Sequence, residues 1–166
     1  MRHLVAFPIL ALAVILQSAI VSRISLLSGY ADLVLVIVIA WALQEGATTA
    51  WHWALLAGAM TAMVTGLPWG VPLAVFLMAV LIARALQRRV WQAPLIAMFT
   101  VTFLESLVSH LLTFIVLALI GASLPFGDTF SLVTLPSMLL NLLLAIPIFW
   151  LMRDLARWVN PVEEED

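Results

Sequence analysis

Apolar side chains run through this chain in six stretches, at 4–21, 31–44, 47–64, 71–86, 94–120 and 132–155, parted only by prolines, glycines and a few charges. A helix needs about 20 such residues to cross a hydrocarbon core. Lipid offers no partner for a free N–H or C=O, so stretches like these close their backbone hydrogen bonds internally as helices. Hydrophobic residues make up 65% of the chain and charged ones 10%, which excludes an ordinary soluble domain. The fold expected is all-α, a polytopic membrane helical bundle of about six transmembrane helices. It forms one domain over 1–158, with an acidic cytoplasmic tail at 159–166. The turn at Glu45-Gly46 and the run Gly66-Leu-Pro-Trp-Gly70-Val-Pro72 read as tight hairpin connections. The first stretch, with Arg2 and His3 before it, has features of a signal peptide, but its length and the spans that follow favour retention.

Arginine fixes the expected orientation. With the N-terminus inside, Arg2, Arg84, Arg88, Arg89, Arg153 and Arg157 fall on the cytoplasmic side and only Arg23 outside. Trp51, Trp53, Trp91 and Trp158 then lie near cytoplasmic helix ends, and Trp69 and Tyr30 at outer turns, where amphipathic rings prefer to sit. Trp41 and Trp150 fall deeper and read as packing or lipid-facing rings. The expected location is the bacterial inner membrane, with both termini cytoplasmic.

Polar groups within the bilayer are expensive and therefore informative. Glu105 lies about 16 Å of helix rise from Pro94, near the midplane, and Asn141 lies about 14 Å into the last helix from the other side. The two reach one depth, so a Glu105–Asn141 hydrogen bond clasping the fifth and sixth helices is expected, with a proton or ligand site as the other reading. His110, five residues beyond Glu105, is turned about 140° away and forms no relay with it. Gln17 and Ser18 are placed to bond a neighbouring helix. Asp32 stands where the second helix begins and suits an N-cap, with Arg23 as a prospective ion-pair partner. Ala50, Ala54, Gly58 and Ala62 recur every four residues and draw a small-residue packing stripe, read first as intramolecular.

Catalytic signatures are lacking: there is no Gly-x-Ser-x-Gly, His-Glu-x-x-His, paired intramembrane aspartate or P-loop. His3, His52 and His110 show no metal-ligand spacing, and the chain has no cysteine. Neither an enzyme nor a cofactor or metal protein is expected.

Taken in order, the landmarks resemble the rod shape-determining MreD family. They are Leu16-Gln17-Ser18, Arg23-Ile-Ser-Leu26, Ala31-Asp32-Leu33, the Gly46 turn, Ala57-Gly58, Gly66-Leu-Pro68-Trp-Gly70, Arg84 with Arg88-Arg89, Leu104-Glu105, Leu135-Pro136-Ser137, Leu140-Asn141 and Ile146-Pro147. The likeness spans nearly the whole chain. The family often has Pro-Asp where Ala31-Asp32 stands, and an acid in the third helix near Ala62 whose role does not carry over here. The resemblance implies a non-enzymatic subunit of the cell elongation machinery that supports peptidoglycan synthesis. Its implied partners are MreC and, indirectly, MreB, RodA and a penicillin-binding transpeptidase; nucleic acid is not among them. It also implies a fold like the S-components of vitamin uptake transporters, with a concavity open to the periplasm.

The rival function is a small-solute-binding subunit of an uptake transporter. The first helix lacks the Ala-x-x-x-Ala docking motif common in S-components, and no inverted repeat is visible. The partner surface expected is the outer one, carrying Arg23, Tyr30, Asp32, Leu67, Trp69, Leu124 and Phe126, because aromatic and apolar side chains dominate binding energy. The orientation is open to a direct check. Cysteines placed at Ser28 and Thr129 label with an impermeant thiol reagent from outside and one at Glu164 does not; reversed labelling inverts the topology.

Overall fold

The computed structural model describes residues 5–45, 47–87, 93–123 and 125–159. Arg2, His3, Gly46, Arg88, Arg89, Trp91, Leu124 and the tail from 160 onward therefore lie outside the described residues. Six helices account for most of what is described: α1 (Ala6–Ala19), α2 (Leu33–Ala42), α3 (Ala50–Val64), α4 (Gly70–Gln87), α5 (Pro94–Leu119) and α6 (Phe126–Val159). A two-stranded antiparallel hairpin, β1 (Ser25–Leu26) and β2 (Gly29–Tyr30), lies between α1 and α2. The protein is thus all-α and polytopic, as expected. Four segments are long and apolar enough to cross a membrane, Ala6–Arg23, Gly70–Gln87, Pro94–Leu119 and Phe126–Val159, whereas α2 and α3 are shorter.

The short α2 marks the main departure from six equivalent crossings. Its 10 residues rise only about 15 Å, half a hydrocarbon core. Every one of them, Leu33 to Ala42, is buried. The sequence shows why this is tolerable: Leu-Val-Leu-Val-Ile-Val-Ile-Ala-Trp-Ala has no polar face, the pattern of a helix enclosed on all sides. It packs on α6 and α4 most heavily, and also on α3, α1 and α5.

The surrounding helices bury single stripes. Ala6, Leu10 and Ala13 are the buried residues of α1, while Phe7, Leu12 and Ile15 point outward, so α1 is peripheral. On α3 the small stripe is buried, and Gly58 sits so close to α4 that a Cβ there would lie 2.9 Å from the Leu73 Cα. The small residues thus serve an intramolecular contact. Trp53, expected near an interface, is instead wholly buried and stacked on Trp41 with ring centroids 4.5 Å apart. Depth along a helix can be read from sequence, but which way the ring faces is set by packing, and the Trp41 indole fills the space opposite. Trp150 remains at the surface beneath the Arg153 guanidinium, 3.8 Å from ring centroid to Cζ.

α6 begins earlier than its apolar stretch does, and widens into π-helix over Phe130–Thr134. Pro136 has no N–H to give the Leu132 carbonyl four residues back. That carbonyl accepts instead from Ser28 N at 3.0 Å, tying the hairpin to α6. At Gly29 a Cβ would fall 2.6 Å from the Val133 carbonyl oxygen, so only glycine allows this approach.

The α3–α4 contact yields a paired test. Gly58→Val forces α4 away and should lower stability by roughly 1–3 kcal/mol, read as thermal unfolding in detergent. Gly66→Ala, where nothing lies within 4 Å of the added Cβ, should leave it unchanged.

Candidate functional site

An enclosed helix brings its unsatisfied ends with it: four N–H groups at one end and four C=O groups at the other have no partner within the helix. In α2 these ends sit in protein, away from bulk water, so other side chains must reach them. At the N-terminal end Asp32 Oδ1 accepts from Leu35 N at 3.0 Å, the cap expected from sequence. Gln17 on α1 makes two bonds, with Nε2 donating to the Ala31 carbonyl at 2.8 Å and Oε1 accepting from Leu33 N at 2.7 Å. Asn141 on α6 supplies Oδ1 to Asp32 N at 2.6 Å, and Ser137 Oγ accepts from Tyr30 N at 3.1 Å.

The other end is served by α4. Gln87 Nε2 donates to the carbonyls of Leu43 and Gln44, 3.2 Å in each case, and Arg84 donates to the Ala47 carbonyl and to Gln87 Oε1. Gln44 turns its own amide back to Ala40 O at 2.9 Å. A cation here also meets the negative end of the α2 dipole. Trp41 Nε1 donates to Thr49 Oγ1 at 3.3 Å, closing the α2–α3 turn.

Two expected pairings are not formed. Asn141 Nδ2 donates to Ser106 Oγ at 2.9 Å, so the α5–α6 clasp runs through Ser106 and not Glu105. The depths agree, but Ser106 is turned about 100° around the helix from Glu105, and both polar atoms of Asn141 are already engaged. Glu105 itself is fully buried, and neither carboxyl oxygen has a hydrogen-bond partner. Asp32 faces its own helix end, and among the described residues it makes no ion pair with Arg23, which is exposed. Ser18 bonds within its own helix, to the carbonyls of Val14 and Ile15. Ser106, Ser137, Arg84 and Gln87 were not singled out as structural ligands; the i, i+3 pair Arg84–Gln87 beside the short second stretch was the one available signal.

His110 is half-buried and lines a cleft between α5 and the start of α6, with Leu107, Leu111, Phe114, Phe126, Thr129, Phe130 and Thr134. Phe126 packs edge-on against Phe114 with centroids 5.2 Å apart. The cleft holds about 50 Å³, well below the roughly 300–1,000 Å³ of small-molecule sites. Elsewhere on the same end of the bundle several large apolar side chains are exposed beside Arg23 and Asp128: Ile24 is 63% exposed, Leu27 68%, Tyr30 50% and Trp69 57%. Leu67 is half-buried beside Trp69 in sequence. Among the described residues no three His, Asp or Glu side chains gather into a metal site.

This fold defines a polytopic helical membrane protein, with Gln17, Asn141, Ser137 and Gln87 bonded to its own backbone. A family model described as rod shape-determining protein MreD matches residues 1–159, and the chain belongs to that family. No curated protein and no solved structure matches the chain.

The α2 cap gives a graded expectation. Asn141→Leu strands the Asp32 N–H and the Ser106 hydroxyl together, each at about 1–3 kcal/mol, whereas Ser106→Ala removes one bond and leaves α2 capped. Thermal unfolding in detergent should therefore fall markedly further for Asn141→Leu than for Ser106→Ala. Equal losses would show that Asn141 is not the ligand that secures α2.

Proposed function

We propose that this protein is a non-enzymatic subunit of the bacterial cell elongation machinery in the inner membrane. In this reading it binds MreC through the surface formed by the hairpin, the α3–α4 turn and the start of α6, and thereby supports peptidoglycan synthesis and rod shape. MreB, RodA and a penicillin-binding transpeptidase are joined to it indirectly. That surface faces the periplasm, and both termini lie in the cytoplasm. Tyr30, Leu67, Trp69 and Phe126 supply the apolar contacts; Arg23 lies at the rim.

One observation carries the reading: large apolar side chains stand exposed on backbone that is rigidly held. Tyr30 N is bonded to Ser137 and Ser28 N to Leu132, so Ile24, Leu27 and Tyr30 project from a hairpin seated on α6. Anchoring residues presented on fixed backbone lose little entropy on binding. Membership of a rod shape-determining family supports the assignment to this machinery.

The test is capture of a single-span MreC protein. Tyr30→Ala combined with Trp69→Ala should weaken capture at least tenfold while leaving insertion and unfolding temperature close to those of the parent, since neither side chain is buried. Binding that survives this change and is lost on replacing Arg88 and Arg89 would place the partner on the opposite side and overturn the reading.

A further inference from the structure

Glu105 is left unused by everything above. Its side chain is 0% exposed, and both carboxyl oxygens lack a hydrogen-bond partner. Thr102, one turn back on α5, is equally buried, and its Oγ1 is likewise unpartnered. The two belong to a pattern. Thr102, Glu105, Ser106, Ser109 and Thr113 recur at i, i+3, i+4, i+7 and i+11, the spacing of a single helical face. This polar stripe starts in the core, where Thr102, Glu105 and Ser106 are buried, and continues through half-buried Ser109 and Thr113 toward the outer end of α5. Ser106 is engaged by Asn141; the carboxyl beside it is not engaged by protein.

Among the described residues no ionisable group on the packed elements gives Glu105 a hydrogen bond. α2 has none within its span, and Asp32 at its start is bonded to Leu35 N. On α4, Arg84 lies in the last turn and reaches Gln87 and the Ala47 carbonyl. On α6, Asp128 is in the first turn, and Arg153, Asp154 and Arg157 are near the far end. None of these gives a hydrogen bond to either Glu105 oxygen. A bare carboxylate in such surroundings is prohibitively unfavourable, so a positive ion has to accompany it into the core.

We infer that Glu105 is the centre of a small-cation site inside the bundle, with the Thr102 hydroxyl as its neighbour, occupied by a proton or a sodium ion. Either cation removes the charge. A proton on the carboxyl makes it a donor that Thr102 Oγ1, one turn back and not bonded to it as the side chains stand, accepts after a side-chain rotation; a sodium ion takes the carboxylate and hydroxyl oxygens as hard ligands. Ser109 and Thr113 continue the polar face of α5 outward from the core. The site has a mechanical consequence, because the next residue, Ser106, holds Asn141 and through it the start of α2. A loaded site keeps α5 seated; an emptied one draws the carboxylate toward water and strains that bond.

The experiment uses the full-length chain in lipid nanodiscs with ¹³C-labelled glutamate, comparing infrared spectra of the parent and E105Q at neutral pH. An acid carbonyl band present in the parent, absent from E105Q and indifferent to sodium identifies the proton. A carboxylate band together with an unfolding temperature that rises with sodium chloride, but not with N-methylglucamine chloride, identifies sodium. A carboxylate band with stability indifferent to sodium overturns the site. Should E105Q fail to fold, T102V decides. Loss of the hydroxyl should shift the acid carbonyl band or weaken the sodium response about tenfold, and a spectrum and response identical to the parent overturn the assignment.

Discussion

The structure depends on a helix too short for the membrane it belongs to. α2 is enclosed by the other five helices, and its two ends present backbone N–H and C=O groups where solvent cannot reach them. Left unmet, each such group would cost about 1–3 kcal/mol, and several together would exceed the marginal stability of a small domain. The bundle meets them with side chains from three different helices, Gln17 from α1, Asn141 from α6 and Gln87 from α4, while Arg84 holds the Ala47 carbonyl just beyond. Gln17, Asn141 and Gln87 complete, from outside, the hydrogen bonding that α2 cannot complete alone.

The same arrangement shapes the outer surface. Pro136 and the π-turn of α6 release a carbonyl that receives Ser28, and Gly29 removes the Cβ that would keep the hairpin at a distance. The hairpin is therefore fixed to the helix that also caps α2. Its exposed apolar side chains are presented by a backbone bonded at two points, as suits a recognition surface better than a flexible loop would. The neighbouring cleft beside His110, at about 50 Å³, is smaller than a vitamin-sized solute.

Much of this was legible in the residues. Hydropathy gave an all-α polytopic bundle, Asp32 announced the start of α2, and Gln17 announced a bond to a neighbouring helix. What failed was rotation. Counting residues gives rise along an axis to within an ångström or two, and so Glu105 and Asn141 were correctly placed at one depth. It says nothing of how far α6 is turned, and that angle hands Asn141 to Ser106. Trp53 failed for the same reason. Arg84 was hidden differently: an arginine at an inner helix end is already explained by topology, which masks a second role as a carbonyl ligand. Serines such as Ser106 and Ser137 carry too little signal, since a hydroxyl in a membrane helix can always bond its own backbone.

The dependence of α2 on distant helices bears on the order in which the chain matures in the bilayer. Synthesis delivers α2 long before Arg84, Gln87 or Asn141 exist to receive its ends. A 10-residue apolar segment cannot hold a transmembrane position while its termini search for partners in lipid. The bonds that secure the two ends of the second helix are therefore complete only when α4 and α6 are in place. Closure of the bundle in this sense involves the whole chain: the partners of its most apolar segment are complete only once the final helix has been made.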